Sequence, residues 1–151
     1  MKYIKKIDGN PSLETRGVFL DMSKAFDKVW HKGLLFKLKC YGVEGDFYNI
    51  LANYLQERKQ RVVLNGKSSS WLDVNAGVPQ GSVLGPLLFL IYINDLPENL
   101  VSISKLFADD TSIFSTVFDV NKSSEDLNKD LENVKNWAFQ WKMTFNPDST
   151  N

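Results

Sequence analysis

The stretch ISKLFADDTSIFS at 103–115 decides the fold. Two short runs rich in apolar and β-branched residues, Ile103–Ala108 and Thr111–Ser115, flank the acid pair Asp109-Asp110. That pattern predicts a β-hairpin with two carboxylates at its tip. Working back along the chain, RGVFLD at 16–21 is a third short apolar run, with a glycine near its mouth and an acid at its end. It reads as a buried strand. Three acids thus interrupt or end apolar strands.

The rest of the pattern is organised around these strands. Residues 1–15 read as a polar, frayed lead-in, with Gly9, Asn10 and Pro11 near its end. Ser23 is placed to cap a helical turn through Val29. Leu34, Leu35 and Leu38 have helical spacing, and Gly42 ends that helix. A second helix is predicted over Phe47–Gln56, with Phe47, Ile50, Leu51, Tyr54 and Leu55 on one stripe. Gln60–Leu64 and Ser70–Val74 read as strands around the turn Asn65-Gly66. Gly77–Gly85 is a loop. The apolar run Val83–Ile93 reads as a buried helix with Pro86 in its first turn. A long amphipathic helix follows, capped by Ser123 or Ser124, with Leu127, Leu131, Val134, Ala138 and Trp141 on its core stripe; Pro147 ends it. Strands interleaved with helices, and hairpins among them, predict an α+β domain: an antiparallel-containing sheet with helices on one face.

Composition narrows the function. The chain has 151 residues, room for one ordinary domain. One cysteine excludes a disulfide framework or a cysteine-built zinc site. One histidine, His31, leaves little for imidazole metal sites or Ser-His pairs and reads as a surface helix residue. Cys40 reads as a small buried hydrophobe. Net charge is zero, but residues 1–75 carry 13 basic and 8 acidic side chains and residues 76–151 carry 5 and 10. A basic half suits a polyanion, and an acidic half suits divalent cations; solvated faces account for the same numbers. No secretory signal opens the chain, and no apolar run approaches the ~20 residues of a membrane span. The expected home is intracellular, nuclear or cytoplasmic, and not secreted.

Carboxylates remain as the chemistry-bearing groups. Isolated charges among apolar strands are costly to desolvate, and adjacent carboxylates repel. A hard cation such as Mg²⁺ relieves both, binding one or two carboxylates while keeping water and phosphate ligands. Two such ions can clamp the oxygens of a phosphoryl transfer. Asp21 with Asp109 and Asp110 is therefore a candidate two-metal site; the pair also suits a plain turn. The loop VPQGS at 78–82 adds glycines that permit close backbone approach, and Gln80 and Ser82 as hydrogen-bonding groups for a sugar or phosphate.

Three blocks carry a family resemblance: VFLDMSKAFDKVWHKGLLFKL at 18–38, NAGVPQGSVLGPLLFLIYINDLP at 75–97 and KLFADDTSIF at 105–114. In this order they resemble motifs A, B and C of reverse transcriptases, most closely those of non-LTR retrotransposons. LNKDLENVKNWAFQWKMTFNPDST at 127–150 is similar to their motif D region. The resemblance implies a polymerase palm over 16–151, a split βαβ antiparallel sheet with helices on one face and a partial fingers insert, without a thumb. It implies RNA-directed DNA synthesis by nucleotidyl transfer to a primer 3′-hydroxyl, with two Mg²⁺ ions or Mn²⁺ in their place. Asp21, Asp109 and Asp110 match the metal-holding acids, Asp109 the stronger candidate of the pair, and the Met22 carbonyl also faces the metal. Phe26 matches the ring that excludes a 2′-hydroxyl; by itself it reads as a helix-face core residue. Gln80 and Gly81 match the loop beside the incoming nucleotide and template. Lys24, Lys28, Lys32, Arg58, Lys59 and Arg61 are candidates to grip nucleic-acid backbones.

Implied partners are an RNA template, a DNA primer and a dNTP, with no membrane. Family members carry further fingers before motif A and a thumb after the palm, and a motif D lysine after Asn146-Pro147. None of these is evident here, so the chain reads as truncated. The rival reading is an inactive palm-fold remnant that acts at most as a nucleic-acid-binding or structural module. A receiver-like Mg²⁺ domain fits less well, because its acidic pair belongs on the first strand.

Overall fold

The computed structural model describes residues 2–5 and 14–146 of the 151. The chain is α+β, with antiparallel sheets and four α-helices among the described residues. It divides into two compact units, residues 1–25 with 93–151, and residues 26–92.

The first unit is built on one sheet. Its strands are β1 (Lys2–Lys5), β2 (Glu14–Asp21), β7 (Ile103–Phe107) and β8 (Asp110–Val117), in the order β1-β2-β8-β7 with every neighbour antiparallel. The polar lead-in thus contributes an edge strand, and β2 begins two residues before the apolar run does. Gly9, Asn10 and Pro11 lie outside the described residues. Residues paired across a ladder share a face. The rows Val18↔Ile113 and Leu20↔Thr111 form one face, and Phe19↔Ser112 and Asp21↔Asp110 form the other.

Helix α4 (Val120–Gln140) covers the first face, and it also packs on the short 3-10 turn Leu96–Asn99. Val18, Ile113, Leu127, Val134, Trp137 and Ala138 are buried there. Each fully buried aliphatic side chain of this kind contributes roughly 1.5–3 kcal/mol. Two polar links align helix and sheet: Arg16 reaches the Ser124 hydroxyl, and the Ser115 and Ser123 hydroxyls meet at 3.0 Å. The helix cap is Asp119, whose carboxylate accepts from the amides of Asn121 and Lys122, an arrangement typically worth about 1 kcal/mol. Ser123, expected as the cap, is buried inside the helix instead. The predicted stripe holds for Leu127, Val134, Ala138 and Trp141, but the fully buried residue at its centre is Asp130, with Leu131 only partly covered. The Asp130 carboxylate accepts from the amides of Val101 and Ser102 at 2.7 and 2.9 Å. Pro147, expected to end the helix, lies outside the described residues; α4 closes earlier, at Trp141.

A 3-10 turn, Ala25–Asp27, stands in place of a Ser23-capped helical turn where the second unit begins at Phe26. Ser23 uses its backbone amide elsewhere, donating to the Thr144 carbonyl. Helices α1 (His31–Cys40) and α2 (Gly45–Leu55) pack together, with Leu34, Leu38, Leu51 and Leu55 buried. Phe47 and Ile50, expected on the buried stripe of α2, are exposed, and so is Cys40. Two short ladders follow, β3 (Lys59–Gln60) with β6 (Leu72–Asp73) and β4 (Val63–Leu64) with β5 (Lys67–Ser68). Asn65 and Gly66 both have positive φ, the geometry of the tight hairpin turn read from that dipeptide. Helix α3 (Leu84–Ile93) buries Leu88, Phe89 and Tyr92. Lys37 is buried with them, and its ammonium donates to the Tyr92 carbonyl at 2.6 Å near the end of α3. A cation there complements the helix dipole. No helix among the described residues is long and apolar enough to cross a membrane.

Candidate active site

In the first unit, the ladder register sets Asp21 directly opposite Asp110. Cross-strand neighbours have Cα atoms roughly 4.5–5.5 Å apart, so both carboxylates rise from the sheet face that α4 does not cover. Asp109 is the next residue along, in the two-residue turn that joins β7 to β8. Ala108, its partner in that turn, has φ +51. A left-handed conformation costs a non-glycine residue about 1–2 kcal/mol, so the tip is held in a tight, strained turn. Beside the acids lies a hollow of about 450 Å³ lined by Phe19, Leu20, Asp21, Phe107, Asp110, Thr111 and Ser112.

Asp21 is also fixed by the segment after α4. The Asn146 amide nitrogen of the backbone donates to the Asp21 carbonyl at 2.8 Å, and the Asn146 side chain donates to Asp21 Oδ2 at 2.6 Å. Between these links and the Ser23 bond to Thr144, Met22 forms an antiparallel bridge with Phe145. The Met22 side chain is buried, so only its backbone is offered to a ligand.

Like charges directly opposite each other in a ladder are unfavourable. Among the described residues, no basic side chain lies within ion-pair distance of Asp21, Asp109 or Asp110. Nor does any group of three or more His, Cys, Asp or Glu side chains converge as metal ligands among them. The structure therefore offers a facing pair, Asp21 and Asp110, with Asp109 beside it, rather than a closed three-acid cage. Such a pair fits a hard divalent cation of the Mg²⁺ type, which takes one or two carboxylates and completes its shell with water and phosphate oxygens.

In the second unit the glycine-containing loop is tied to the turn that carries Phe26. The Val78 amide donates to the Phe26 carbonyl and the Gly77 amide to the Val29 carbonyl, both at 2.8 Å. Gly77 has φ +87, and a Cβ there would lie 2.8 Å from the Asp27 carbonyl oxygen. Only glycine permits that approach. The Gly77 carbonyl in turn meets His31 Nε2 at 2.8 Å and accepts from Arg58 at 3.1 Å. His31 is thus a loop anchor at the start of α1, not an idle surface residue. Gln80 donates to the Asp27 carboxylate at 2.7 Å, and Gly81, with φ +77, is exposed. The Phe26 ring lies against Phe89, with centroids 4.6 Å apart.

The basic candidates divide. Lys24 is exposed in the first unit. Arg58 is engaged with Gly77, Lys59 pairs with Asp73 at 3.7 Å across the β3–β6 ladder, and the Arg61 guanidinium stacks over the exposed Trp71 ring at 4.6 Å. The contacts of Asn146, Asp27 and Lys37 escaped the sequence reading, because isolated polar residues carry no pattern. Asp130 left a trace: an acid at helical spacing between Leu127 and Val134.

The sequence matches the profile of the family described as reverse transcriptase (RNA-dependent DNA polymerase) over residues 4–151. It is 36% identical over 141 residues to the RNA-directed DNA polymerase from mobile element jockey of Drosophila melanogaster, which covers 87% of this chain and 15% of that protein. It is 35% identical over 139 residues to the probable RNA-directed DNA polymerase from transposon X-element of the same species, covering 89% of this chain and 15% of that protein. A retrovirus-related Pol polyprotein from a type-1 R2 element of Popillia japonica is 29% identical over 83 residues, 55% of this chain. The chain therefore spans about 15% of the length of the first two.

Proposed function

Because the chain belongs to the reverse transcriptase (RNA-dependent DNA polymerase) family, we propose that it serves RNA-directed DNA synthesis by two-metal nucleotidyl transfer to a primer 3′-hydroxyl. The observation that carries this reading is the register Asp21↔Asp110, which sets two carboxylates, without basic partners among the described residues, side by side on one sheet face. In this reading the four-stranded sheet with α4 is a polymerase palm, and residues 26–92 include part of the fingers.

Asp21, Asp110 and Asp109 hold the divalent cations, Mg²⁺ or Mn²⁺, with the Met22 carbonyl as a further oxygen ligand. Bound there, such ions acidify a hydroxyl and neutralise charge on a departing pyrophosphate. The chain's own contribution is placement, since much of phosphoryl-transfer catalysis is positioning and charge stabilisation. In the second unit, the Phe26 ring, backed by Phe89, excludes a 2′-hydroxyl and so favours a dNTP. Gln80 and Gly81 present the loop to the nucleotide and template, and Asp27 orients the Gln80 amide. Lys24 is exposed and meets phosphates of the RNA template and DNA primer; Arg58, Lys59 and Arg61 must exchange or share their present partners to do so.

Primer extension tests this. With an RNA template, a DNA primer, dNTPs and Mg²⁺, the wild-type chain extends the primer, and Asp109→Ala and Asp21→Asn abolish extension. Binding of the template–primer without any extension contradicts the reading. It supports instead a palm-fold remnant that binds nucleic acid.

A further inference from the structure

We infer that Asn146 is a positioning residue for the metal-holding carboxylate of Asp21; this rests on the reading of Asp21 as a cation ligand. Strand β2 ends at Asp21, and its carboxylate is half-exposed beside the open hollow. A half-exposed Asp side chain is ordinarily free to rotate. Here one residue removes that freedom from two directions. The Asn146 backbone amide fixes the Asp21 carbonyl, and its side-chain amide holds Oδ2 at 2.6 Å.

A carboxylate has two oxygens and about four acceptor sites. One donor on Oδ2 occupies a single site and fixes the plane of the group, leaving Oδ1 and the remaining lone pairs for a cation. Groups that orient a ligand from behind typically change metal affinity or activity roughly 10–100-fold when removed. The link also makes the geometry of Asp21 depend on the segment that follows α4. That segment is anchored independently of the Asn146 side chain, through the Ser23–Thr144 bond and the Met22–Phe145 bridge. Removing the side-chain amide therefore loosens the carboxylate while the backbone pairing stays.

The experiment titrates the full chain with Mn²⁺ and follows free Mn²⁺ by electron paramagnetic resonance, with thermal melts of every variant. Asn146→Ala is compared with Asn146→Leu, which retains the bulk and lacks the donor. Asn133→Ala is the control: it removes a comparable side-chain bond, to the Asn99 carbonyl, away from the site. The inference expects Asn146→Ala and Asn146→Leu to weaken Mn²⁺ binding about tenfold, with Asn133→Ala unchanged. Wild-type affinity in both Asn146 variants, with binding still abolished by Asp21→Asn, overturns the positioning role and leaves the metal reading intact. Wild-type binding that survives Asp21→Asn overturns both. Equal weakening in Asn133→Ala shows a loss of general stability and likewise overturns the positioning role.

Discussion

Asp130 shows how one residue can serve a fold against its own propensity. It is fully buried on the core stripe of α4, yet it remains favourable because two backbone amides, those of Val101 and Ser102, donate to it. Those amides lie just before β7, so the carboxylate fixes where the hairpin with Asp109 and Asp110 leaves the helix layer. Replacing it by alanine leaves two backbone amides without their charged acceptor. Hydrogen bonds to charged groups contribute about 1.5–3 kcal/mol each and do not add fully. Asp130→Ala should therefore lower unfolding free energy by roughly 3 kcal/mol, read as a fall in the urea midpoint at unchanged slope. A midpoint within error of wild type would show that the amides find other partners. The residues alone place Asp21 at a strand end and Asp109 in a turn, because an acid among apolar β residues is conspicuous; Asp110, expected with Asp109 at the tip, is instead the first residue of β8, since the turn closes one residue earlier at Ala108-Asp109. They do not reveal Asn146 or Asp27, since an isolated amide or acid in a polar stretch gives no signal of the partner that folding brings to it.

Elements were legible where pattern is local. The hairpin over 103–117, the apolar helix with Pro86 in its first turn and the Asn65-Gly66 turn follow from side-chain period and turn chemistry. Boundaries set by competition were missed. Ser23 has the chemistry of a helix cap, but its amide is drawn to Thr144, and the turn after it closes as a short 3-10 segment. Ser123 lost the cap of α4 to Asp119, four residues earlier, because the helix gains a turn by starting there. The loop at 77–81 depends on one backbone position. Gly77 combines φ +87 with a Cβ clash against Asp27, and its carbonyl receives His31 and Arg58. The left-handed conformation alone costs an alanine about 1–2 kcal/mol, and the clash adds to it. Gly77→Ala should shift the thermal midpoint downward by several degrees and release the loop, seen as faster amide exchange at positions 77 and 78. An unchanged midpoint would mean the loop does not need that approach.

At the scale of the whole molecule, the charge asymmetry of the sequence maps onto the two units. The second unit carries Arg58, Lys59, Arg61 and Lys67, and the first carries the three acids Asp21, Asp109 and Asp110. Which acids face each other is not a sequence property, however. It follows from ladder register, in which a slip of one residue would send Asp21 to the α4 face. The proposed chemistry depends on that register more than on any motif. Paramagnetic broadening by Mn²⁺ tests it most directly. In a titration of the labelled chain, amides around Asp21 and across Asp109–Thr111 should broaden first and together, and Asp21→Asn or Asp110→Asn should each abolish the effect. Broadening confined to the helix surface of α4, or unchanged in both variants, would contradict a shared cation between these strands.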